Sequence, residues 1–271
     1  MTAETYRFIA GTTPVLISIP HAGIQVPDAL RARLTAEALA LPDTDWHVDR
    51  LYDFAAVLGV SVLSARYSRY VIDLNRDPEG RALYPGADNT ELVPSTTFAR
   101  AAIYRRGEAP TADEMARRSA EFWHPYHHRL ALEIDTIRRR HGLAVLWDAH
   151  SIASELPRFF DGRLPDLNLG TAGGVSADLG LVEEVRKVLA AAQTFSHVVD
   201  GRFKGGYITR RYGAPAQGIH ALQMELAQIA YMDERPPFAY HDERAALLRP
   251  VLRRCIETLI AWAMKRNAAR S

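Results

Sequence analysis

The sequence predicts an α/β fold in which one mixed, largely parallel sheet carries helices on both faces. Short apolar runs alternate along the chain with longer segments of helical periodicity, which is typical of this architecture. The 271 residues fit one large domain, and apolar residues make up 48% of them, enough for a substantial core. No internal repeat or low-complexity segment divides the chain, so a single domain is expected over residues 1–271.

The strands are predicted from short runs of apolar and β-branched residues. These runs cover residues 14–20, 60–65, 143–147 and 220–226, with shorter runs at 70–74 and 198–199. The run at 70–74 opens segment 68–78, which turns polar at Asp73, Asn75 and Arg76 and is closed by Pro78.

The helices are predicted from the spacing of apolar residues and from end signals. A short helix is expected at 28–34, and a longer one begins at Pro42 or Asp43 and stops at Gly59. A third covers 111–140, with Thr111 as its cap and Glu114 at the capping-box position. Two more are expected at 179–192 and 243–266, whereas 79–107 and 152–174 are expected to be irregular loops. Residues 205–213 form a Gly-flanked segment with two cations and two phenols.

The composition argues against several classes of protein. The formal net charge is +1, so no strong field for nucleic acid or membranes is implied. The single cysteine, Cys255, allows no disulfide within the chain and is expected to be a small buried hydrophobic residue. The first eight residues carry Glu4 and lack an apolar core, which argues against a signal peptide, and no run approaches the ~20 apolar residues of a membrane span. A cytoplasmic protein is therefore expected.

The polar end of segment 68–78 predicts a binding site for a small anion. A strand that ends in Asn75 and Arg76 presents an amide and a planar cation at the carboxyl edge of the sheet, where open α/β sheets bind ligands. A guanidinium can bind both oxygens of a carboxylate, and an amide adds another donor. This pair is therefore expected to bind a substrate carboxylate. Arg69, beside the strand, is of a kind more often found at the surface.

Two histidines suggest a metal site. His21 follows the run at 14–20 and His150 follows the run at 143–147, so both can converge above the carboxyl edge of the sheet. A catalytic zinc site takes three protein ligands and a water, and the third ligand could come from Asp45, Asp49 or His47. Another interpretation stays open, because histidines after strands are commonly hydrogen-bonded loop residues and acidic residues commonly begin helices.

Glu225 stands out because it lies within the apolar run 221–226. Buried carboxylates are seldom found unless they are paired or functional, and one that faces a metal-bound water could be a general base. On the opposite face of the strand, Glu225 would instead be exposed to solvent. Arg210 and Arg211 could be surface cations, although the flanking glycines and Tyr207 suggest a mobile lid.

The order of these features resembles the N-formylglutamate amidohydrolase (deformylase) family of histidine degradation. Each matching segment is weak alone, but together and in this order they are specific and span nearly the whole chain. The segments are Pro-His-Ala-Gly at 20–23, residues 44–52, 68–76, 164–170 and 205–213, and Gln-Met-Glu-Leu at 223–226. The family is similar in fold to zinc carboxypeptidases and aspartoacylase-type deacylases, which implies that fold here.

The resemblance also implies roles for the matching residues. The implied roles are zinc ligation by His21 and His150, carboxylate binding by Asn75 and Arg76, polarisation of the scissile carbonyl by Arg69, substrate gripping by Tyr207 with Arg210 or Arg211, and general base catalysis by Glu225. In the carboxypeptidases an acidic ligand follows its histidine by three residues, but Ile24 stands there. The acid is then expected from the turn that holds Asp45 and Asp49; counting back from Gly59 favours Asp45 and leaves Asp49 open.

The activity implied by the resemblance is the hydrolysis of N-formyl-L-glutamate to formate and L-glutamate, with one Zn²⁺ or another divalent metal per chain. The two carboxylates of this substrate require two cationic binding sites (clamps). These are expected at Asn75–Arg76 and at Arg210 or Arg211. A small dicarboxylate is the expected partner, without nucleic acid or membrane, and no oligomeric state is predicted. The alternatives are a deacylase or carboxypeptidase-like hydrolase for another N-acyl acidic amino acid, or a metal-free binding protein for acidic metabolites.

Overall fold

The computed structural model describes residues 4–83, 86 and 88–268. These residues form one sheet with the strand order β1-β3-β2-β4-β7-β5-β6. The strands are β1 (Tyr6–Ile9), β2 (Val15–Ile19), β3 (Ser61–Ala65), β4 (Ala144–Ile152), β5 (Leu167–Gly170), β6 (His197–Val199) and β7 (Ile219–Ala227). The β1–β3 and β5–β7 pairs are antiparallel and the other four pairs are parallel, so the predicted mixed, largely parallel sheet is confirmed.

Helices cover both faces of this sheet, as predicted. They are α1 (Asp28–Arg31), α2 (Ala36–Leu39), α3 (Val48–Leu51), α4 (Ala112–Arg118), α5 (His124–His141), α6 (Leu179–Ala191), α7 (Tyr207–Tyr212) and α8 (Asp242–Ala268). Side chains of β4 alternate between two cores: Trp147 packs with residues of α6 and α8 on one face, and Leu146 packs with residues of α5 on the other. Cys255 is buried in the first core, as expected for a small hydrophobic residue. None of the helices in the described ranges is long and apolar enough to cross a membrane.

Most of the predicted helices and strands are found where the periodicity places them. The helix expected at 111–140 is formed by α4 and α5, which a π-helical turn at Ser119–Trp123 joins, and the Thr111 hydroxyl accepts a hydrogen bond from the Glu114 N–H as predicted. Segment 205–213 contains α7, and the expected loop 152–174 contains β5, which escaped prediction. The edge strand β1 also escaped prediction. Residues 1–3 and 269–271 of the expected domain, and 84, 85 and 87 of the expected loop 79–107, lie outside the described ranges.

The prediction of a strand at 70–74 is wrong, because these described residues form no strand in the structure. After β3 the chain turns, with the Val71 N–H donating to the Ser68 carbonyl at 2.9 Å and the Asp73 N–H to the Leu92 carbonyl at 2.7 Å. Asn75 then donates its backbone N–H to Asp73 Oδ1 at 2.8 Å. The apolar side chains of this segment are buried in the core on the α5 face, so its hydrophobicity reflects a buried turn stabilised by side-chain hydrogen bonds.

The prediction of a single helix between Pro42 and Gly59 is also wrong. His47 adopts a left-handed conformation, with φ of 62°, which interrupts any helix that starts before it. The helical residues are therefore divided between α3 and a 3₁₀ turn at Asp53–Ala55. Asp45 precedes α3, where its N–H donates to the His21 carbonyl at 3.1 Å. The turn thereby carries Asp45 to the carboxyl end of β2.

Candidate active site

The carboxyl ends of three adjacent parallel strands form the floor of the site. His21 follows β2, whereas His150 and Glu225 lie within β4 and β7 and pair with each other in register. Parallel strands end at the same edge of a sheet, so these side chains meet in one place. They line one cavity, which several polar and charged side chains share with them.

His21, Asp45 and His150 form a cluster that could hold a metal ion. One ligand atom from each lies within 4.8 Å of the others, and all three side chains are buried. Asp45 Oδ2 lies 3.1 Å from His150 Nδ1 and 3.6 Å from His21 Nδ1. The same oxygen accepts a hydrogen bond from the Ser151 N–H at 3.2 Å, which fixes the carboxylate between the two rings.

Two more carboxylates fix the histidines from behind. His21 Nε2 donates to Asp73 Oδ1 at 2.7 Å, and His150 Nε2 lies 3.0 Å from Asp148 Oδ2. Each Nδ1 is left facing Asp45. Carboxylates that orient metal-ligating histidines in this way are a common feature of zinc sites. The donor set, two imidazoles and a carboxylate, therefore fits a catalytic zinc or a similar divalent ion.

The electrostatics of the cluster follow from burial and from the close carboxylates. Burial alone would raise the pKa of Asp45, but hydrogen bonds and charges from His150 and His21 lower that pKa below its usual range. For His150 burial acts to lower the pKa, and the Asp148 and Asp45 carboxylates outweigh it and raise the pKa well above the usual value. In the metal-free site a proton on His150 thus compensates the negative charge around it.

Asp49 does not join this cluster, although the sequence left it open as a ligand. It lies on α3, exposed, and its Oδ1 accepts a hydrogen bond from the Arg50 N–H at 2.9 Å. His47 points elsewhere too, with Nε2 2.8 Å from the Phe238 carbonyl. Because the left-handed His47 separates Asp45 from α3, the two aspartates share no helical face, and the structure brings only Asp45 to the histidines.

Arg69 is a buried cation beside the cluster and not the surface residue that its position alone would favour. Its Nη2 donates to Asp73 Oδ2 at 2.9 Å and its Nη1 donates to the Asp43 carbonyl at 3.2 Å. Burial acts to lower the pKa of Arg69, but the carboxylates of Asp73 and Asp45 raise it, so the guanidinium stays charged. Its buried Nε has no hydrogen-bond partner among the described residues, and Arg69 lines the cavity.

Glu225 is 7% exposed and faces the cavity, so the solvent-face alternative for this strand residue is excluded. Burial, together with the nearby carboxylates of Asp45 and Asp148, raises the pKa of Glu225 to about 8, although the charges of His150 and Arg69 act in the opposite direction. Its Oε2 accepts a hydrogen bond from Gln223 Nε2 at 3.1 Å. The carboxyl group can therefore hold or release a proton near neutral pH.

Asn75 and Arg76 lie at the cavity wall next to the cluster. Asn75 Nδ2 is 3.0 Å from His150 Nε2, and its Oδ1 accepts a hydrogen bond from the Ile208 N–H at 2.7 Å. Arg76 donates from Nη2 and Nε to the Thr90 hydroxyl at 2.7 and 3.1 Å. Both side chains are thus oriented by neighbours before any ligand arrives.

Tyr207, Arg210 and Arg211 lie outside this cavity. They belong to α7 and line a neighbouring cavity that shares Arg76 and contains none of the clustered histidines. Arg210 and Arg211 are exposed, and Arg210 Nε donates to the Gly205 carbonyl at 2.9 Å. The helical turn directs these side chains away from the metal cluster, so the structure does not bring the predicted second clamp to the site.

Arg202 and Gln223 line the active-site cavity and Asp148 supports His150, and the sequence predicted no role for any of the three. Two of these had a usable signal. Asp148 and Gln223 each precede a predicted functional residue by two positions in a strand, so they share its face. Arg202 lies between β6 and α7 in an irregular segment, where no periodicity predicts the direction of a side chain.

Comparisons with known proteins agree with this arrangement. The sequence profile of the N-formylglutamate amidohydrolase family matches residues 13–232. An N-formylglutamate deformylase of Pseudomonas aeruginosa is 52% identical over 265 residues, covering 98% of this chain and 99% of the relative. Another from Pseudomonas putida is 50% identical over 263 residues, covering 97% of this chain and 98% of the relative.

Solved structures show the same fold. An N-formylglutamate amidohydrolase from Ralstonia eutropha JMP134 superposes with a TM-score of 0.78 at 25% identity, covering 98% of this chain and 97% of the other. A gene product of Agrobacterium tumefaciens superposes with a TM-score of 0.69 at 19% identity, covering 95% and 97%, and supports the fold alone. With its profile match over most of the chain and relatives at half identity over nearly its whole length, this chain belongs to the N-formylglutamate amidohydrolase family.

Proposed function

We propose that this chain hydrolyses the formyl amide of N-formyl-L-glutamate to formate and L-glutamate. The observation that carries the proposal is the buried cluster of His21, Asp45 and His150, with Glu225 and Arg69 beside it in one cavity. Two relatives of about half identity, covering nearly the whole chain, bear the name N-formylglutamate deformylase. The proposal joins this chemistry to that substrate.

The three clustered residues would hold one zinc ion or a similar divalent metal. When bound, such an ion would act as a Lewis acid and make a water molecule acidic enough to supply hydroxide near neutral pH. Asp73 and Asp148 keep the two imidazoles in the orientation that this requires.

Glu225 is the proton carrier of the proposed reaction. Its carboxylate takes a proton from the attacking water and later delivers that proton to the nitrogen of the leaving amine. Gln223 donates to Oε2 and keeps the carboxyl group in place, which leaves Oε1 to exchange the proton. Burial favours the protonated form, as the raised pKa of about 8 indicates, and a nearby cation would favour the carboxylate needed for the first step.

The charged and amide donors bind and orient the substrate. Arg69 stabilises negative charge on the oxygen of the scissile carbonyl, since it is fixed by Asp73 and charged at neutral pH. Asn75 and Arg76 bind a substrate carboxylate close to the cluster, as a fork of donors pre-oriented by Thr90 and by the Ile208 N–H. The substrate is thereby held with its amide next to Glu225.

The direct test measures metal and activity on one sample. Protein purified without chelator is analysed for metal content, and formate release from N-formyl-L-glutamate is assayed alongside. We expect stoichiometric zinc and formate release, with N-acetyl-L-glutamate turned over far more slowly because a formyl pocket crowds the extra methyl group. A sample that holds no metal and releases no formate, even after zinc is added, would favour a binding protein. Equal turnover of the acetyl substrate would favour a general deacylase.

We further propose that the reaction is the last step of a histidine degradation route in the cytoplasm, as the family resemblance implies. The expected result of deleting the gene is that cells grown on histidine accumulate N-formylglutamate. Unchanged levels of that compound in the deletion strain would contradict the assignment to this route, without touching the chemistry proposed for the site.

A further inference from the structure

We propose that Arg202 is the specificity-determining residue that binds the side-chain carboxylate of the substrate, while Asn75 and Arg76 bind its α-carboxylate. This inference rests on the proposed function and replaces the second clamp expected at Arg210 or Arg211. It assigns each of the two substrate carboxylates to one arginine of the cavity wall.

The cations of the cavity support this division. Among the described residues, three arginines line the cavity, namely Arg69, Arg76 and Arg202. Arg69 is held by Asp73 and the Asp43 carbonyl beside the metal cluster, where the scissile amide must lie. Two arginines are then left for two carboxylates, and a buried carboxylate requires such a partner.

Distance from the cluster decides which arginine binds which group. The α-carboxylate of a formyl amino acid is attached to the carbon that bears the scissile nitrogen, so it must lie next to the reacting centre. Asn75 touches His150, and Arg76 Nη2 lies 3.8 Å from Asp73 Oδ2, so this pair is the one at the centre. Arg202 follows β6, the edge strand three positions from β4 in the sheet, so it enters the cavity from the side farther from the cluster.

The surroundings of Arg202 match the side chain of glutamate. Its Nε donates to the Phe159 carbonyl at 2.5 Å, and its guanidinium lies 5.4 Å from the centre of the Phe203 ring and 6.0 Å from that of Phe159. Both rings line the same cavity. Aromatic rings can pack on the two methylene groups of a glutamate side chain, and the half-buried cation can bind the carboxylate at its end.

Besides Asp45 and Glu225, the described cavity wall holds one acidic residue, Asp88, that could repel an anionic ligand. Asp88 lines the cavity, but its carboxylate receives two hydrogen bonds from Arg158, at 3.0 and 3.1 Å, and pairs with Arg100 at 2.7 Å. Its charge is compensated by these two cations, so it repels a bound carboxylate only weakly.

Two substrates that differ only at the distal group test the proposal. N-formyl-L-glutamine has nearly the shape of N-formyl-L-glutamate but carries no side-chain charge. We expect Arg202→Gln to lower kcat/KM for the glutamate substrate roughly 30-fold, as loss of a charged hydrogen-bonded pair does, and to lower it less than about threefold for the glutamine substrate. Arg202→Lys, which keeps the charge, should retain part of the preference.

Three further arginine variants serve as comparisons. Arg210→Gln and Arg211→Gln test the rival assignment of the second carboxylate clamp to α7. Both variants should leave the preference for the glutamate substrate unchanged. Arg253→Gln, on the exposed face of α8 and paired with Glu257, controls for loss of a surface cation. Loss of the preference in Arg210→Gln or Arg211→Gln would overturn the proposal, as would an equal loss on both substrates in Arg202→Gln.

Product binding provides a readout that does not depend on turnover. By calorimetry we expect the wild-type protein to bind L-glutamate more tightly than L-glutamine, and Arg202→Gln to weaken only L-glutamate binding. If these binding differences were observed but the wild-type protein released no formate, the proposed reaction would be rejected. The role of Arg202 in binding a carboxylate would still be supported. Equal affinity of the wild-type protein for the two amino acids, or equal weakening of both in Arg202→Gln, would reject the role of Arg202.

Discussion

Glu225 and Gln223 show how a single strand places two functional groups. They are two positions apart on β7, so both face the cavity, and Gln223 donates to Oε2 of Glu225. The buried site raises the pKa of the carboxyl group to about 8, a value suited to exchanging a proton near neutral pH. This chemistry needs the carboxyl group itself and not only its shape.

Glu225→Gln is therefore expected to keep the metal and lose turnover. The amide has nearly the same volume but cannot take a proton from water, so kcat should fall by roughly 10²- to 10⁴-fold, as for other general bases. Metal content and kcat are measured on the same preparation. The matched control is Glu133→Gln on α5, a buried carboxylate that accepts a hydrogen bond from Ser61 and does not line the cavity. Wild-type turnover in zinc-loaded Glu225→Gln would refute the general-base role.

Sequence patterns located those site residues whose direction is set by a regular strand or by its end. His21, His150 and Glu225 come together because strand ends and strand alternation constrain where a side chain points. Asp49 stayed open beside Asp45, and the α7 arginines were expected at the site, because a left-handed residue at 47 and a short helical turn set the directions of these side chains and neither has a periodic signature. Arg202 escaped for the same reason, since it lies in an irregular segment.

At the scale of the elements, the apolar pattern predicted α6, α8 and five of the seven described strands, because these elements pack one face or two on a core. It failed at 70–74, where four buried apolar residues form a turn and not a strand. The hydrogen bonds that decide this conformation involve Leu92 and the side chains of Ser68 and Asp73, and only the first is distant in sequence. A prediction from the apolar content of neighbouring residues does not take such hydrogen bonds into account, so it favours a strand here.

The start of α7 packs directly on Asn75, and this contact requires a glycine. A Cβ atom added at Gly206 would lie 2.2 Å from Asn75 Nδ2, which is too close for any side chain to remain in place. Gly206→Ala should therefore displace the amide and lower kcat/KM for N-formyl-L-glutamate by about tenfold or more, through loss of a hydrogen bond to the charged carboxylate. Steady-state kinetics measure the effect.

The contribution of the clash is isolated in a double variant. In an Asn75→Ala background the crowded amide is gone, so Gly206→Ala should cost little further activity. If Gly206→Ala lowered kcat/KM by the same factor in both backgrounds, the effect would have to come from elsewhere in α7. Gly180→Ala, at the start of α6 and outside the cavity, controls for a general cost of losing a helix-start glycine.

Helix α5 and the π-helical turn before it hold the backbone of the Asn75–Arg76 pair through one side chain each. Trp123 Nε1 donates to the Arg76 carbonyl at 3.1 Å, and His127 Nε2 donates to the Leu74 carbonyl at 2.8 Å. Burial lowers the pKa of His127 to about 3, so its imidazole stays neutral in the folded protein across the usual pH range. In the unfolded chain the same histidine binds a proton below about pH 6.5.

The unfolded chain binds this proton at a higher pH than the folded protein does. The free energy of unfolding therefore decreases as the pH falls between the two pKa values. From about pH 7.5 to 5.5, His127 should lower the free energy of unfolding by about 1.4 kcal/mol. His127→Gln removes this loss, so its unfolding free energy should fall about 1.4 kcal/mol less than that of the wild type over this interval. Urea unfolding at the two pH values measures it, with His128→Gln, exposed on the same helix, as control. Equal pH dependence in wild type and His127→Gln would contradict the buried neutral imidazole.

At the scale of the whole molecule, the proposed metal ligands tie together parts of the chain that are distant in sequence. His21 follows β2, Asp45 precedes α3 and His150 lies in β4. Their carboxylate supports come from the turn after β3 and from β4 itself, so the cluster joins the centre of the sheet to two of its connections. Arg69 and a proton on His150 compensate the Asp45, Asp73 and Asp148 carboxylates, and a bound metal ion would replace that proton.

Zinc should therefore stabilise the folded chain as a whole. With free zinc at about a thousand times its dissociation constant, binding to the native state alone adds about 4 kcal/mol, which for a chain near this size raises the thermal midpoint by roughly 10 °C. Asp45→Asn should abolish most of this rise, because it removes a ligand, whereas Asp49→Asn, exposed on α3, should retain it. Thermal unfolding with chelator and with zinc measures all three proteins. A zinc-dependent rise that survives in Asp45→Asn and disappears in Asp49→Asn would move the acidic ligand to α3, and no rise in the wild type would argue against a metal bridging these elements.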